Sequence, residues 1–196
     1  MPSPEKFRES LEVFSVDRPV ADAVCDGFME LESSSPKARK AAFFKRAIDI
    51  MDERLEPSLV RDIFEWNACC KSGSRLKASK AFAREHAALP LADKLELIAA
   101  APQMFMGRPV LEPDGTITLN AVTYVCDGKF ACACSNFNKL KRDYPVSKHY
   151  CYCCGGHFKH HYQIMLGVGL EVAEIVSSPL DSDGASPCVF RLRITG

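Results

Sequence analysis

The sequence predicts an α+β protein, in which an N-terminal helical bundle is followed by a small antiparallel sheet with a packed helix and a Cys-rich metal site. Apolar side chains recur every three or four residues through the first hundred positions, which is the period of an amphipathic helix. Short alternating runs of the kind that form strands appear only beyond Pro102. We therefore expect a helical region over 1–101 and a Cys-rich α+β domain over 102–196.

Capping residues, or proline at the first helical position, mark where most of the predicted helices begin. These signals are Ser3-Pro4, Asp17, Ser35-Pro36 and Pro57. Two more helices are expected over 74–87 and 91–100. Each apolar stripe needs a partner to be buried, so the helices should pack as a bundle.

Two strand-like runs flank a Pro-Asp-Gly turn between residues 109 and 119, which predicts a hairpin. Residues 121–126 can extend that sheet. The later elements are expected to be an irregular stretch over 127–150, a helix from Gly155-Gly156 to about Leu166, and strands over 170–176 and 188–194.

Composition limits the environment in which the protein works. Twenty-five basic residues balance twenty-five acidic ones, so the net charge of zero gives no general attraction to nucleic acid or membranes. The N-terminus lacks a signal-peptide pattern, and no apolar run is long enough to span a bilayer. We expect a cytoplasmic protein. Thiols are kept reduced there, which favours metal ligands over disulfides as the role of its ten cysteines.

Six of these cysteines crowd into the segment between residues 126 and 154. The pattern is Cys126-x5-Cys132-x-Cys134-x16-Cys151-x-Cys153-Cys154-x2-His157. Two ligand pairs separated by a loop are typical of a zinc site. The preferred ligands are Cys132, Cys134, Cys151 and Cys153, with Cys126, Cys154 and His157 in reserve. Zinc is favoured over an iron–sulfur cluster and over metal-free thiols.

The same residues also allow a thiol enzyme. Cys153 and Cys154 come just before the glycine pair and the expected helix start, where the helix dipole lowers a thiol pKa. His157 lies one helical turn further on and could act as the base of a cysteine hydrolase. Cys154 and His157 would then be the catalytic pair. His160 and His161 are expected to decorate a solvated helix face.

The remaining cysteines have simpler interpretations. Cys188 starts the final strand and is expected to be a core thiol, with a role as an additional ligand left open. Cys69 and Cys70 are expected to be one buried and one exposed thiol. Cys25 belongs to the helix core.

Residues 71–84 form a basic segment that contains no acidic residue. Its cations are Lys71, Arg75, Lys77, Lys80 and Arg84. Such a face can bind anions or nucleic acid, but it lacks interleaved aromatic residues apart from Phe82. We interpret it as a solvated helix face, and nucleic acid is not an expected partner.

The C-terminal residues resemble a known class. The run Tyr150-Cys151-Tyr152-Cys153-Cys154-Gly155-Gly156-His157, a strand ending near Glu174-Ile175-Val176, and Cys188-x-Phe190-x-Leu192-x-Ile194 resemble vinyl-4-reductase-type small-molecule-binding domains. This resemblance covers about 120–196. The whole chain looks like an uncharacterised bacterial family with the same cysteine-rich tail, and is more distantly similar to aminothiazoline-carboxylate hydrolases.

The resemblance implies an α+β domain that binds a hydrocarbon-like ligand and whose cysteines can hold a metal. Two positions depart from the class. Ser177-Ser178 stand where the class commonly has a cysteine, and Ala185 follows Gly184 where the class tends to have an acid. If the metal in that class uses the missing cysteine, the site here must be assembled otherwise.

Together these features predict a zinc-containing protein that binds or senses a small apolar molecule held between helices and sheet. The alternative is a thiol- or zinc-dependent hydrolase of a small amide or cyclic substrate. A third reading is a structural zinc that supports a protein-interaction surface. Ligand identity and oligomeric state are left open.

Overall fold

The computed structural model describes residues 4–31, 34–69, 71–102 and 107–195. Two sequence assignments, the Ser3 cap and the thiol of Cys70, lie outside these ranges. The helices of the first half are α1 (Pro4–Val13), α2 (Arg18–Cys25), α3 (Lys37–Arg54), α4 (Pro57–Trp66), α5 (Gly73–Glu85) and α6 (Leu91–Ala100). The predicted helices of this half are thus confirmed, although α3 begins at Lys37 with Pro36, not Ser35, at its N-cap position.

The strands lie in the second half, as predicted. They are β1 (Arg108–Leu111), β2 (Ile117–Val122), β3 (Val125–Cys126), β4 (Lys129–Phe130), β5 (Leu170–Ser177) and β6 (Cys188–Ile194). Four of them form an antiparallel sheet in the order β1-β2-β6-β5, and β3 and β4 form a separate hairpin. The class is therefore α+β.

The helix of the second half begins earlier than the sequence predicts. A 3-10 turn over Lys148–Cys151 leads directly into α7 (Tyr152–Leu166), which ends at Gly167 in the left-handed conformation. Gly155 and Gly156 lie inside this helix and do not precede it. The expectation was wrong because glycine usually weakens a helix interior, by about 1 kcal/mol relative to alanine.

Close packing explains why glycines stand at these two positions. A Cβ built on Gly155 would lie 3.0 Å from a methyl group of Val172 on β5. A Cβ built on Gly156 would lie 2.9 Å from both the Glu65 carbonyl oxygen and the Ala68 Cβ. The helix thus fits closely between the sheet on one side and the end of α4 on the other.

A continuous hydrophobic core joins the helical region to the sheet. The ring of Tyr150 marks the junction. Its centroid lies 5.6 Å from those of Phe44 and Phe64 in the bundle, and 5.0 Å from that of Phe137 in the loop after β4. Aromatic pairs at such separations add stability beyond their buried area. This packing brings the cysteine-bearing loop against the start of α7.

Candidate thiol site

The cysteines of the described residues are all free thiols. Cys25 is buried in α2, as predicted. Seven others come from four separate segments: Cys69 from the α4–α5 connection, Cys132 and Cys134 from the loop after β4, Cys151, Cys153 and Cys154 from the start of α7, and Cys188 from the start of β6. We call these seven residues the thiol cluster.

Cys134 is the member of the thiol cluster whose charge acts on the pKa of most of the others. A negative charge on its sulfur raises the pKa of five other members: Cys132, Cys151, Cys153, Cys154 and Cys188. Such an influence requires proximity, because charge interactions fall off with distance. Thiols that are far apart along the chain therefore converge on one region.

Burial keeps four thiols of the cluster in the neutral form. Desolvation raises the pKa of Cys151 to about 12 and that of Cys188 to about 12. Desolvation also raises the pKa of Cys132 and of Cys154 well above the usual value, and neighbouring cysteines add to the effect. Cys154 is half-buried as a residue, yet its sulfur lies in a desolvated environment. Ionisation of such sulfurs needs a nearby cation, which a metal ion would supply.

Hydrogen bonds join two sulfurs of the cluster to neighbouring hydroxyl groups. The Cys134 sulfur lies 3.2 Å from the Tyr150 hydroxyl, which also accepts a 2.9 Å bond from the Asn136 side-chain amide. The Cys151 sulfur lies 3.1 Å from the Ser178 hydroxyl. A hydroxyl, that of Ser178, therefore stands beside the cluster at this place.

Cys153 and Cys154 face different parts of the cluster. The Cys153 thiol donates to the Asn67 carbonyl oxygen at 3.6 Å, and its hydrogen bond with Cys69, together with burial, raises its pKa. The Cys154 thiol is influenced by Cys132, Cys134 and Cys151 as well as by Cys69. Successive helical residues are rotated by about 100°, which explains why neighbours in sequence diverge.

Within the described ranges, no three His, Cys, Asp or Glu side chains are positioned to hold a metal ion as they stand. The sulfurs of Cys134, Cys151 and Cys153 contact hydroxyl and carbonyl partners instead. Cysteine side chains have alternative staggered rotamers about a single bond.

His157 is buried in a polar network between α7 and α5. Its Nδ1 lies 3.0 Å from the Cys69 carbonyl oxygen and its Nε2 lies 3.1 Å from the Arg75 guanidinium. A carbonyl accepts only, so Nδ1 carries the proton and Nε2 accepts from Arg75. Burial, with His161, Arg75 and His160 nearby, lowers the pKa of His157 to about 4.

These contacts leave no ring nitrogen of His157 for a thiol partner. Burial raises the pKa of Cys154, whereas a reactive cysteine has a lowered one. The arrangement that a Cys154–His157 catalytic pair requires is therefore not formed in the described structure. His161 is also buried, 3.0 Å from the Ser79 hydroxyl, so the expectation of a solvated face was wrong for this residue.

A cavity of about 330 Å³ lies next to the thiol cluster. It opens between the segment from β3 to Arg142 and the loop after β5. Cys132 lines it and belongs to the thiol cluster, and Cys126, a reserve ligand on β3, lines it as well. Its volume lies within the usual range for small-molecule sites, about 300–1,000 Å³.

Sequence reasoning missed two contributors to this site. Cys69 was paired with Cys70 and not with Cys153, because no local spacing connects the α4–α5 connection to α7. Arg75 was assigned to a solvated basic face, yet its guanidinium contacts His157. The contact of Cys69 follows from the close approach of α7 to the end of α4, for which Gly156 was the available sequence signal. The contact of Arg75 follows from the packing of α5 against α7.

None of the helices in the described ranges has the length and apolarity required to cross a membrane. Comparison with known proteins gives no similar chain: no family model, no curated protein and no solved structure matches this sequence.

Proposed function

We propose that this protein binds a zinc ion through the thiol cluster and a small molecule in the adjoining cavity, as a binding or sensor module. The observation that carries the proposal is that a charge on Cys134 would act on the pKa of five other thiols drawn from separate segments. Thiolates are preferred zinc ligands, and a metal site would explain why so many cysteines come together.

The ligands that best fit the proposal are Cys132, Cys134, Cys151 and a fourth residue from the start of α7. The spacing in the sequence favours Cys153 as this fourth ligand. The structure favours Cys154, because charges on Cys132, Cys134 and Cys151 all raise its pKa. Metal binding would replace the hydrogen bonds to Tyr150 and Ser178 and would stabilise the irregular loop after β4. The resemblance to small-molecule-binding domains with a metal-holding tail agrees with this assignment.

The test is elemental analysis of the purified full chain, with Cys134→Ser compared with Cys25→Ser. Zinc should be bound at about one ion per chain, and Cys134→Ser should lose most of it. Cys25 is a buried thiol on α2 outside the cluster, so its variant should keep the metal even if it is less stable.

X-ray absorption then defines the coordination. Four sulfur ligands at about 2.3 Å would indicate a structural zinc, and three with one oxygen an open position for a ligand or for Lewis-acid chemistry. Protein that contains no zinc as purified, and takes up none when zinc is added, would contradict the proposal. So would equal metal content in the Cys134→Ser and Cys25→Ser variants.

A further inference from the structure

The cavity beside the thiol cluster, which we call the loop cavity, has an apolar wall. Phe137 and Leu180 line it. Both are core residues, with only 3% and 2% of their surface exposed. Leu140 extends the same wall and is half-buried. Its volume of about 330 Å³ equals that of roughly eleven water molecules in the liquid. A molecule of about ten non-hydrogen atoms is of this size.

Positive charge is concentrated around the same cavity. Its lining contains four cations, Lys129, Lys139, Lys141 and Arg142, but only two carboxylates, Asp127 and Asp183. Lys129 and Asp183 pair with each other at 2.5 Å across the rim. Within the described residues, Lys139 and Lys141 form no ion pair. This local excess stands out in a chain whose net charge is zero.

Arg142 is fixed in the cavity wall by backbone groups. Its guanidinium donates to the carbonyl oxygens of Tyr144 and Pro179, the second at 2.7 Å. A guanidinium has five N–H donors, so these two bonds hold the group in place without using all of them. Because carbonyl oxygens carry no full charge, the positive charge of Arg142 is not neutralised by them.

We infer that the loop cavity binds a small monocarboxylate with an apolar body, the carboxylate lying toward Arg142, Lys139 and Lys141 and the body against Phe137, Leu140 and Leu180. The inference rests on the small-molecule half of the proposed function and replaces a purely apolar ligand with an amphipathic anion. Cys132 belongs both to the cavity lining and to the thiol cluster, so a bound molecule lies next to the proposed metal site.

Isothermal titration calorimetry of the full chain with three probes tests the inference. Octanoate has both parts of the ligand, 1-octanol has the apolar body without the charge, and inorganic phosphate has charge without the body. Octanoate should bind most tightly, and its affinity should fall as salt is added, because exposed charges are screened. Equal binding of octanol or of phosphate would overturn the inference, as would an absence of octanoate binding.

Matched variants locate the site. The double variant Lys139→Gln/Lys141→Gln should weaken octanoate binding roughly tenfold, as expected for two exposed ion pairs. The double variant Lys77→Gln/Lys80→Gln makes the same charge change on the exposed face of α5, away from the cavity, and should bind as the wild type does. Equal affinities in the two double variants would overturn the inference.

Zinc content measured in the same samples separates this result from the proposed function. Protein that binds octanoate with the expected pattern but never binds zinc would contradict the metal half of the proposal alone. Protein that binds zinc but not octanoate would contradict the carboxylate inference alone.

Discussion

The Nδ1 of His157 donates a 3.0 Å hydrogen bond to the backbone carbonyl oxygen of Cys69, 88 residues away in sequence. This bond connects α7 to the segment between α4 and α5. The neighbouring contact of Nε2 with Arg75 places a cation against the same ring. The imidazole is therefore held neutral, and its protonation is coupled to the folding of both halves.

Acidification should destabilise metal-free protein through His157. Its pKa is about 4 in the folded state and near 6.5 when unfolded. Between these values the unfolded chain binds more protons, so stability is complete above about pH 6.5 and falls as the pH decreases toward 4, by about 2–3 kcal/mol. Urea unfolding of chelator-treated protein at several pH values measures this loss.

The matched variant is His157→Gln, which cannot titrate in this range. The neighbouring groups that face the ring, Arg75, His160 and His161, remain in both proteins. The difference in unfolding free energy between wild type and variant should therefore shrink as the pH falls from 7 to 4. A difference that stays constant with pH would contradict the assignment.

Most of the fold follows from the sequence because its signals are local. Apolar residues every three or four positions, with the prolines Pro36 and Pro57, predict where helices form. The alternation of apolar and polar residues over 188–194 predicts the last strand. The start of α7 was mistaken because the role of Gly155 and Gly156 depends on tertiary packing. Helix propensity alone cannot account for glycines that permit close approach.

The candidate site was only partly predictable for the same reason. Spacing brought Cys132, Cys134, Cys151 and Cys153 into one hypothesis, and a charge on Cys134 raises the pKa of the other three. The contacts of Cys153 with Asn67 and Cys69 depend on how α4 and α7 meet. Gly156 signals that some element approaches α7 closely, but no pattern within either segment shows that this element is α4.

Replacing Gly156 by alanine should destabilise the protein, although alanine favours a helix by about 1 kcal/mol. The new Cβ would stand 2.9 Å from the Glu65 carbonyl oxygen, a backbone atom that cannot move without shifting α4. We expect a net loss of about 1–3 kcal/mol, the range for overpacking a well-packed interior. Thermal or urea unfolding measures it.

Gly155→Ala is the control for this effect. Its new Cβ would meet methyl groups of Val172 at 3.0 and 3.3 Å, which are side-chain atoms with more freedom to adjust. This variant should lose less stability than Gly156→Ala. The reverse order would show that α7 does not depend on its close approach to α4.

Removing the Tyr150 hydroxyl should also be costly. Phenylalanine at this position keeps the ring contacts with Phe44 and Phe64 but leaves the buried Asn136 amide without its acceptor. An unsatisfied buried donor costs about 1–3 kcal/mol. Tyr162→Phe is the matched control, because the buried Tyr162 hydroxyl has no hydrogen-bond partner within the described residues. Chemical unfolding should show a loss for the first variant and little change or a gain for the second, and equal losses would contradict the contact.

The choice between Cys153 and Cys154 as zinc ligand is settled by comparing their serine variants. The Cys154 sulfur shares the electrostatic environment of Cys132, Cys134 and Cys151, whereas the Cys153 thiol donates to Asn67 and bonds to Cys69. We therefore expect Cys154→Ser to lose most of its bound zinc, and Cys153→Ser to retain it with a smaller loss of stability. Elemental analysis and thermal unfolding of both variants, before and after chelation, provide the measurement. If only Cys153→Ser loses the metal, Cys153 is the ligand, as its spacing in the sequence predicts. In that case α7 must rotate, or the Cys153 side chain must change its rotamer, to bring this sulfur to Cys132, Cys134 and Cys151.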